Sequence, residues 1–278
     1  MDGIKALIDR KPWGVLSTTT LKWIAVATML IDHIGAILVW SYYLNNGYPH
    51  DAYVAYLWLR RIGRIAFPIF CFVLVEGFVH THSRPKYALR LFLFALVSEI
   101  PYDIALHDGL VYTPGAEATL TWQIDYTQDP NIMFTLLLAF LALWLVDFLT
   151  KLVCDLVKKV AKKDELPRAG YYVVNTVLAV AVMLPTAYLA TELDLSYHAY
   201  GIFLIAGMYI GRNCPLVMFV LGVLATIWYN GAIQMYAIVG LTILLFYSGK
   251  KGRGMKYFFY VFYPAHLLIL GLIDVFAF

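Results

Sequence analysis

Two histidines and one carboxylate stand inside long apolar segments, where an ionisable group is costly. Asp32 and His33 are neighbours in the middle of the apolar segment 21–40, and His266 lies in the segment 257–276. A helical rise of about 1.5 Å per residue puts each histidine about 15–17 Å from the end of its segment, near the centre of a bilayer. An imidazole that a neighbouring carboxylate orients and keeps basic can act as a general base. The pattern indicates proton-transfer chemistry within a membrane, and the alternative for His266 is a satisfied core histidine.

Four further ionisable residues form two pairs with the spacing of one helical turn. Glu76 precedes His80 by four residues, and Glu99 precedes Asp103 by four residues. Side chains at this spacing share a helix face, so each pair presents two polar groups to one neighbour. We expect the two pairs to line a polar path across the bilayer together with Asp32. The alternative for Glu99 and Asp103 is that they only neutralise arginine.

Three arginines lie where a helix enters the membrane from its predicted outer side. Arg60 and Arg61 each share a helical face with Arg64. One interpretation is that they reach back to the lipid headgroups, or pair with Glu99 and Asp103 to hold helices together. The other interpretation, which we favour, is that at least Arg64 fixes an anion or an acidic partner inside the bundle.

Metal chemistry is not indicated by the pattern of histidines and cysteines. The sequence has no H-x-x-x-H or H-E-x-x-H motif, and the H-x-H at 80–82 alone is a weak signal. The three cysteines, Cys71, Cys154 and Cys214, are too widely spaced for a C-x-x-C site, so we expect free thiols. Nucleophile elbows and phosphate-binding loops are also absent from the sequence.

The amino-acid composition indicates which class of protein carries these ionisable residues. The chain has 278 residues, of which 62% are hydrophobic and 14% are charged. Soluble domains have about 45–50% apolar and about 25% charged residues. A soluble enzyme, a disordered protein and a nucleic-acid-binding protein are therefore disfavoured. We expect one integral membrane domain over residues 1–278.

Apolar segments bounded by polar, Gly or Pro residues predict an all-α bundle with about nine transmembrane helices, within a range of eight to ten. The predicted segments are 21–40, 60–80, 86–106, 130–150, 170–190, 198–211, 214–230, 232–247 and 257–276. Ser17 is a candidate N-cap for the first segment, and Asp129-Pro130 is one for the fourth. The first segment lacks a following small-residue cleavage site, so we expect it to remain as a span.

The basic residues predict the orientation of the bundle. All but three of the 21 Lys and Arg residues lie in segments on one side, which include 1–20 and the basic loop 151–169. The opposite loops, which include 107–129 and 191–197, carry acidic residues and no Lys or Arg. Because basic residues stay on the cytoplasmic side, the N-terminus is predicted to be cytoplasmic.

Five motifs in the same order resemble the TraX family of conjugal-transfer membrane proteins. They are 30–36 (LIDHIGA), 62–70 (IGRIAFPIF) with 75–78 (VEGF), 87–91 (YALRL) with 98–101 (SEIP), 131–136 (NIMFTL), and 256–260 (KYFFY) with 263–266 (YPAH). The resemblance covers most of residues 21–140 and 232–272, whereas residues 141–195 match poorly. It implies a multi-pass protein of the bacterial plasma membrane that transfers acetyl groups, because the type member N-acetylates a pilin and the family is similar to membrane acyltransferases.

The resemblance also implies roles for the residues singled out above. His33 is the expected base or acetyl carrier, Asp32 its support, and His266 or Tyr263 the group that stabilises the oxyanion or shuttles a proton. Acetyl-CoA is the expected donor and would dock from the cytosol. The residues assigned to it are Arg64, Glu76, His80, Arg84, Lys86 and Arg90. The residues assigned to the acceptor, a membrane-associated peptide, glycan or lipid, are Arg60, Arg61, Glu99, Asp103 and Asn131.

Two other functions fit the same sequence. A proton-coupled secondary transporter also needs histidines and carboxylates along a path, although such transporters often show internal repeats that are not evident here. A non-catalytic membrane component of a secretion or conjugation machine needs neither midplane histidine. The loop 107–129 is a candidate gate for the acceptor, with a plain solvated loop as the alternative.

Overall fold

The structure is a computed structural model that describes residues 14–113, 118–123, 128–162, 167–252 and 256–278. Several residues used in the charge and loop arguments lie outside these ranges: Lys5, Arg10, Lys11, Glu117, Asp125, Tyr126, Lys163 and Arg253. The described part is helical apart from one β-hairpin, which confirms the all-α prediction for the bundle. A helix coincides with each of the nine predicted segments.

The first helical run carries Asp32 and His33 near its middle. Helix α1 (Thr18–Ile34) continues through a π-helical segment (Gly35–Val39) into α2 (Trp40–Asn45). The Ser17 hydroxyl accepts the Thr20 N–H at 3.1 Å, which confirms the predicted N-cap. At Gly35 an added Cβ would lie 2.8 Å from Leu59 Cβ, so this glycine permits close packing against the next helix.

The second run is longer than the predicted segment 60–80 because it begins at His50. Helix α3 (His50–Gly63) and helix α4 (Ala66–His80) are separated by a short break at Arg64 and Ile65. The arginines predicted to enter the membrane therefore lie in the middle of a 31-residue run.

The next elements correct three boundary predictions. Helix α5 (Arg84–Leu106) leads into a β-hairpin, in which β1 (Leu110–Thr113) pairs antiparallel with β2 (Thr119–Trp122). The predicted loop 107–129 thus contains ordered strands. Helix α6 (Ile132–Ala161) extends eleven residues beyond the predicted end, so the first half of the predicted loop 151–169 is helical. Its cap is Asn131, whose side chain accepts the Met133 N–H at 3.0 Å, and the Asp129-Pro130 cap was wrong.

Six elements complete the described chain. They are α7 (Arg168–Glu192), α8 (His198–Ile210), α9 (Pro215–Tyr229), a 3₁₀ turn (Gln234–Tyr236), α10 (Ala237–Leu244) and α11 (Lys256–Ala277). Five helical runs of the described residues are long and apolar enough to cross a membrane, namely Thr18–Asn45, His50–His80, Ile132–Ala161, Arg168–Glu192 and Phe258–Ala277. Helices α8, α9 and the 3₁₀–α10 unit are apolar but shorter.

The bundle has two ends that differ in composition. We call the end with the β-hairpin and the connections 45–49, 193–197 and 230–233 the hairpin end. We call the opposite end, with Arg84, Lys151 and Arg212, the basic end. Between them lie two groups of buried apolar side chains, a larger one around α4, α6 and α8 and a smaller one between α1 and α11.

Candidate active site in the bundle interior

A cavity of about 370 Å³ extends from the middle of the bundle to the hairpin end. Its inner wall comes from the middle of α1 and from the α3–α4 break, while its mouth includes Asp129, His198 and the exposed Tyr229. The polar residues that line it are Asp32, His33, Arg60, Arg64, Tyr102, Asp129, Ser196, Tyr197, His198, Tyr229, Gln234 and Tyr263. Four of the predicted site residues from the first half of the chain therefore meet at one place. The predicted polar path through the two carboxylate pairs was wrong, because the cavity lining does not include Glu76, His80, Glu99 or Asp103.

Asp32 is held by two arginines from the α3–α4 break. Arg60 Nη1 donates to Asp32 Oδ2 at 2.6 Å, and Arg64 Nη2 donates to both carboxylate oxygens at 2.7 and 2.8 Å. The side chains of Asp32 and Arg64 are each 11% exposed, and that of Arg60 is 24% exposed. Arg64 therefore holds an acidic partner inside the bundle, which is one of the two occupants predicted for it. The partner is Asp32 rather than an acid on α5.

This pairing corrects the role expected of Asp32. Adjacent helical residues point about 100° apart, so Asp32 and His33 face different neighbours. Asp32 faces α3 and binds the arginines, whereas His33 faces α11 and binds His266. Asp32 therefore positions the cationic wall of the cavity and does not directly orient the imidazole of His33.

Gly63 makes the close approach of α1 and the α3–α4 break possible. A Cβ on Gly63 would overlap the carboxylate and the Cβ of Asp32. We expect Gly63→Ala to displace Asp32 from Arg60 and Arg64 and to destabilise the protein by about 1–3 kcal/mol, the usual cost of overpacking. Thermal unfolding of the purified protein in detergent measures this loss. An unchanged midpoint of thermal unfolding would contradict the close contact between Gly63 and Asp32.

His33 and His266 form a direct hydrogen bond between α1 and α11. His33 Nδ1 lies 2.7 Å from His266 Nε2, and the rings are nearly parallel at 20° with centroids 4.9 Å apart. His266 Nδ1 lies 2.7 Å from the carbonyl oxygen of Phe262. A carbonyl oxygen only accepts, so Nδ1 of His266 carries a hydrogen.

That constraint assigns the tautomers of both rings when they are neutral. His266 Nε2 must accept, so Nδ1 of His33 donates to it. Nε2 of His33 is then left with its lone pair, on a residue that lines the cavity. His266 is 5% exposed and sits behind His33. The hydrogen bonds leave His33 Nε2 with a free lone pair, and they place a second imidazole where it can take a hydrogen from His33 Nδ1.

Tyr263 and Tyr197 place two further hydroxyl groups in the cavity wall. Tyr263 is 4% exposed and its hydroxyl is hydrogen-bonded to the backbone of Ile132. Tyr197 stacks on Phe67 with ring centroids 3.8 Å apart, and its hydroxyl accepts from Arg64 Nη1 at 3.4 Å. Tyr263 was predicted as a site residue, whereas no role was predicted for Tyr197.

The conformation of the turn before α8 explains why the sequence does not predict a role for Tyr197. Asp194, Tyr197 and His198 all have positive φ values, of 49°, 65° and 43°. Residues other than glycine seldom adopt this conformation, and it persists only where surrounding contacts hold the backbone in place. Ser196 provides such contacts, because its carbonyl oxygen accepts the Thr135 hydroxyl at 2.7 Å. The only sequence signal was an aromatic residue in a short connection.

A hydrogen-bonded network closes one side of the cavity mouth. Asp129 accepts from the Tyr102 hydroxyl at 3.2 Å and from the Ser196 hydroxyl at 3.1 Å. His107 Nε2 lies 3.2 Å from Asp129, and its Nδ1 lies 3.4 Å from Asp103. The hydrogen bond with Asp129 raises the pKa of His107, and the same bond with His107 lowers the pKa of Asp129. An ionic bridge therefore ties the segment after α5 to the segment before α6.

This bridge predicts a pH-dependent stability. His107 has a raised pKa, so its contribution is complete below its ordinary value near 6.5 and is lost as the pH rises through the raised value. Asp129 has a lowered pKa, so its contribution is complete above about 4 and is lost as the pH falls. We expect the unfolding midpoint of wild type to exceed that of His107→Gln most at pH 5–6 and least above pH 8. A constant difference across this range would contradict the bridge.

The predicted acetyl-CoA residues other than Arg64 lie toward the basic end, away from the cavity. Arg84 Nη1 donates to Asp147 at 2.5 Å and lies over the ring of Phe78, while Lys86 is exposed. Arg90 lies over the ring of Tyr87 at 5.5 Å. These residues form a basic rim and do not line the site of His33.

Glu76 and His80 also lie at the basic end. The buried Glu76 accepts the Tyr247 hydroxyl at 3.0 Å, and His80 Nδ1 lies 3.0 Å from the Glu76 carbonyl oxygen. The Tyr247 hydroxyl is also 2.9 Å from that of Thr18. This cluster joins α1, α4 and the segment after α10, and it is separate from the cavity.

The remaining acceptor residues lie near the cavity without lining it. Asn131 donates its side-chain amide to Ala95 O and to Glu99, so both residues serve the N-terminus of α6. Asp103 binds His107, and Arg61 lies over the rings of Trp58 and Tyr236. Of the five residues predicted to bind the acceptor, only Arg60 lines the cavity. Neither Glu99 nor Asp103 binds an arginine of the α3–α4 break, because both arginines that turn inward bind Asp32.

Comparisons with known proteins match nearly the whole chain. The family described as TraX protein matches residues 17–274. A curated protein of Dichelobacter nodosus, named probable fimbrial assembly protein FimC of serogroup H1, is 30% identical over 266 residues. That alignment covers 91% of this chain and 94% of the relative. No solved structure matches the chain.

Proposed function

This chain belongs to the TraX family, and on that premise we propose that it is a membrane-embedded acetyltransferase. Its acceptor is an amine or hydroxyl group that enters the cavity from the hairpin end, and its donor is acetyl-CoA. The observation that carries the proposal is the His33–His266 pair, which leaves a basic imidazole nitrogen on a cavity inside a helical bundle.

The proposed reaction begins with His33 as a general base. Nε2 of His33 removes the proton from the acceptor as the acceptor nitrogen or oxygen bonds to the thioester carbonyl carbon. The tetrahedral intermediate then collapses, the carbon–sulfur bond breaks, and the leaving thiolate takes the proton back from His33. No net proton remains on the protein, and the products are the acetylated acceptor and CoA.

His266 stabilises the charged intermediate of His33 in this scheme. Once His33 Nε2 is protonated, its Nδ1 hydrogen can move to His266 Nε2 along their 2.7 Å hydrogen bond. His266 then carries the charge and keeps its Nδ1 hydrogen on the carbonyl of Phe262. Charge shared over two imidazoles lowers the cost of forming a cation in an apolar interior. Tyr263, which also lines the cavity, is the proposed donor to the developing oxyanion.

The donor is proposed to approach from the basic end, with Arg84, Lys86 and Arg90 as the rim for its phosphates. Between that rim and His266 lies a seam of aromatic side chains on α1 and α11. Trp23 packs on Phe258 with centroids 4.9 Å apart, Phe258 on Phe262 at 5.7 Å, and Phe262 on His266 at 4.7 Å. The thioester arm therefore reaches the histidines only when this seam opens.

The location follows from the same proposal. The basic end faces the cytoplasm of a bacterial plasma membrane and the hairpin end faces outward. An acceptor that meets the cavity from outside fits a role in the assembly of fimbriae or conjugative pili, as the name of the Dichelobacter nodosus relative suggests for that protein. A pilin-like peptide, a glycan or a membrane lipid each presents a suitable amine or hydroxyl.

Mass spectrometry of a deletion strain tests this function whichever molecule the acceptor is. Acetylated peptides, glycans or lipids that disappear on deletion should return with the wild-type gene and should not return with His33→Asn. A strain whose acetylated molecules are unchanged by deletion would contradict the proposal. Stabilisation of the purified protein by acetyl-CoA separates it from a proton-coupled transporter and from a non-catalytic assembly component, neither of which requires donor binding.

A further inference from the structure

The inner wall of the cavity carries more positive than negative charge. Arg60 and Arg64 both point to Asp32, so two guanidinium groups share one carboxylate. Arg64 Nη2 donates to both oxygens of Asp32, while its Nε donates to the carbonyl oxygen of Arg60 and its Nη1 to the Tyr197 hydroxyl, so each nitrogen of Arg64 already has an acceptor. Arg60 uses one hydrogen bond on Asp32, whereas a guanidinium has five N–H donors.

The second carboxylate that lines the cavity, Asp129, is engaged near the mouth. Asp129 is bridged to His107 and accepts from the hydroxyl groups of Tyr102 and Ser196. Asp129 therefore does not offset the extra charge at Arg60. A cationic group that is largely removed from water and lacks a full partner is costly, and an anion supplied by a ligand removes that cost.

We propose that the inner cavity binds one anionic group, a carboxylate or a phosphate, carried by the acceptor next to the group that is acetylated. This inference rests on the proposed function. Arg60 provides the uncompensated donors, and Tyr197, whose hydroxyl already contacts Arg64, lies on the same wall. Arginine suits this task because its planar fork matches both carboxylate and phosphate oxygens.

The position of the site assigns the anion to the acceptor and not to the phosphates of the donor. The cavity opens at the hairpin end, while Arg84, Lys86 and Arg90 form the rim at the opposite end. His33 follows Asp32 directly in α1 and lines the same cavity. An acceptor whose anion binds Arg60 therefore holds its amine or hydroxyl near Nε2 of His33. Neutral acceptors lack this anchor and should be poor substrates.

Binding of small probes to the purified protein in detergent tests the proposal. The probes are acetate, methyl phosphate and acetamide, the last being a neutral molecule with the shape of acetate. Binding is followed by thermal stabilisation at constant ionic strength. We expect acetate or methyl phosphate to stabilise wild type, and acetamide to have no effect. Preference for acetate indicates a carboxylate on the acceptor, and preference for methyl phosphate indicates a phosphate. Equal stabilisation by acetamide, or none by either anion, would overturn the proposal.

Two neighbouring arginines provide a matched comparison. Arg60→Gln removes the extra charge and leaves the Arg64–Asp32 pair, so we expect it to weaken anion binding at least tenfold. Arg61→Gln removes an arginine that lies over Trp58 and Tyr236, and we expect it to change binding less than twofold. Equal effects of the two substitutions would also overturn the proposal. If Arg60→Gln does not fold, the comparison of acetate with acetamide on wild type still tests whether the cavity binds an anion.

His33→Asn separates this proposal from the proposed function. The variant should bind the anion as wild type does, because His33 is not part of the cationic wall. It should nevertheless fail to transfer acetyl. Anion binding without any acetyl transfer in wild type would retain the anion site and reject the acetyltransferase, whereas transfer to neutral acceptors at the full rate would do the reverse.

Discussion

Asp32→Ala is expected to lower the free energy of unfolding by about 3–5 kcal/mol, because it leaves two arginines inside the bundle without their carboxylate. The exposed fraction of the Arg64 side chain is only 11%, so water compensates little for the lost partner. A midpoint of thermal unfolding in detergent measures the effect. The matched control is Asp155→Ala, since Asp155 is exposed and pairs with Lys158 at 3.7 Å. We expect that control to change stability by less than about 0.5 kcal/mol.

A double substitution isolates the charge effect of Asp32 from its packing. Asp32→Ala combined with Arg60→Met leaves one unpaired arginine instead of two. The double variant should therefore be more stable than the Asp32→Ala variant. Additive losses from the two substitutions would contradict the shared carboxylate. Recovery would show that Arg60 is held through Asp32.

His33→Asn is expected to reduce acetyl transfer by about 10²–10⁴-fold, the usual contribution of a general base. Asparagine places an amide N–H near the position of Nδ1, so it can keep the hydrogen bond to His266 while it lacks a basic nitrogen. The fold and the unfolding midpoint should therefore change little. The level of the acetylated product in the complemented deletion strain measures the rate loss.

His82→Gln is the control for this prediction. His82 lies in the connection between α4 and α5, is exposed and does not line the cavity. We expect product levels within twofold of wild type. Equal losses from His82→Gln and His33→Asn would indicate a general effect on expression and would remove the assignment of His33 as the base.

The sequence predicted the positions of the helices well. Apolar length and polar breaks located a helix at each predicted segment, and counting residues along two of those segments brought His33 and His266 to one level, where the structure joins them. Which side chains meet at that level depends on the rotation of each helix about its axis, and apolar patterns define that rotation only coarsely. Thus Asp32 was predicted to support His33, although the two must point about 100° apart.

Residues outside the regular elements were the hardest to predict. Tyr197 and His198 reach the cavity from a short turn with positive φ values, which no hydrophobic period reveals. Asn131 was predicted to bind the acetyl acceptor, yet in the structure it caps α6 and binds Glu99. The family resemblance identified a motif around Asn131. A sequence motif does not show whether a residue caps a helix or binds a substrate.

Transfer of radiolabel from acetyl-CoA is the decisive test of the proposed acetyltransferase. Purified protein is mixed with acetyl-CoA labelled in the acetyl group and with membranes from the deletion strain, and label in the membrane fraction is followed over time. We expect wild type to label a membrane component and His33→Asn, folded and equally abundant, to leave it unlabelled. Labelling by His33→Asn at the wild-type rate would contradict the role of His33, and the absence of any labelling by wild type would contradict the acetyltransferase.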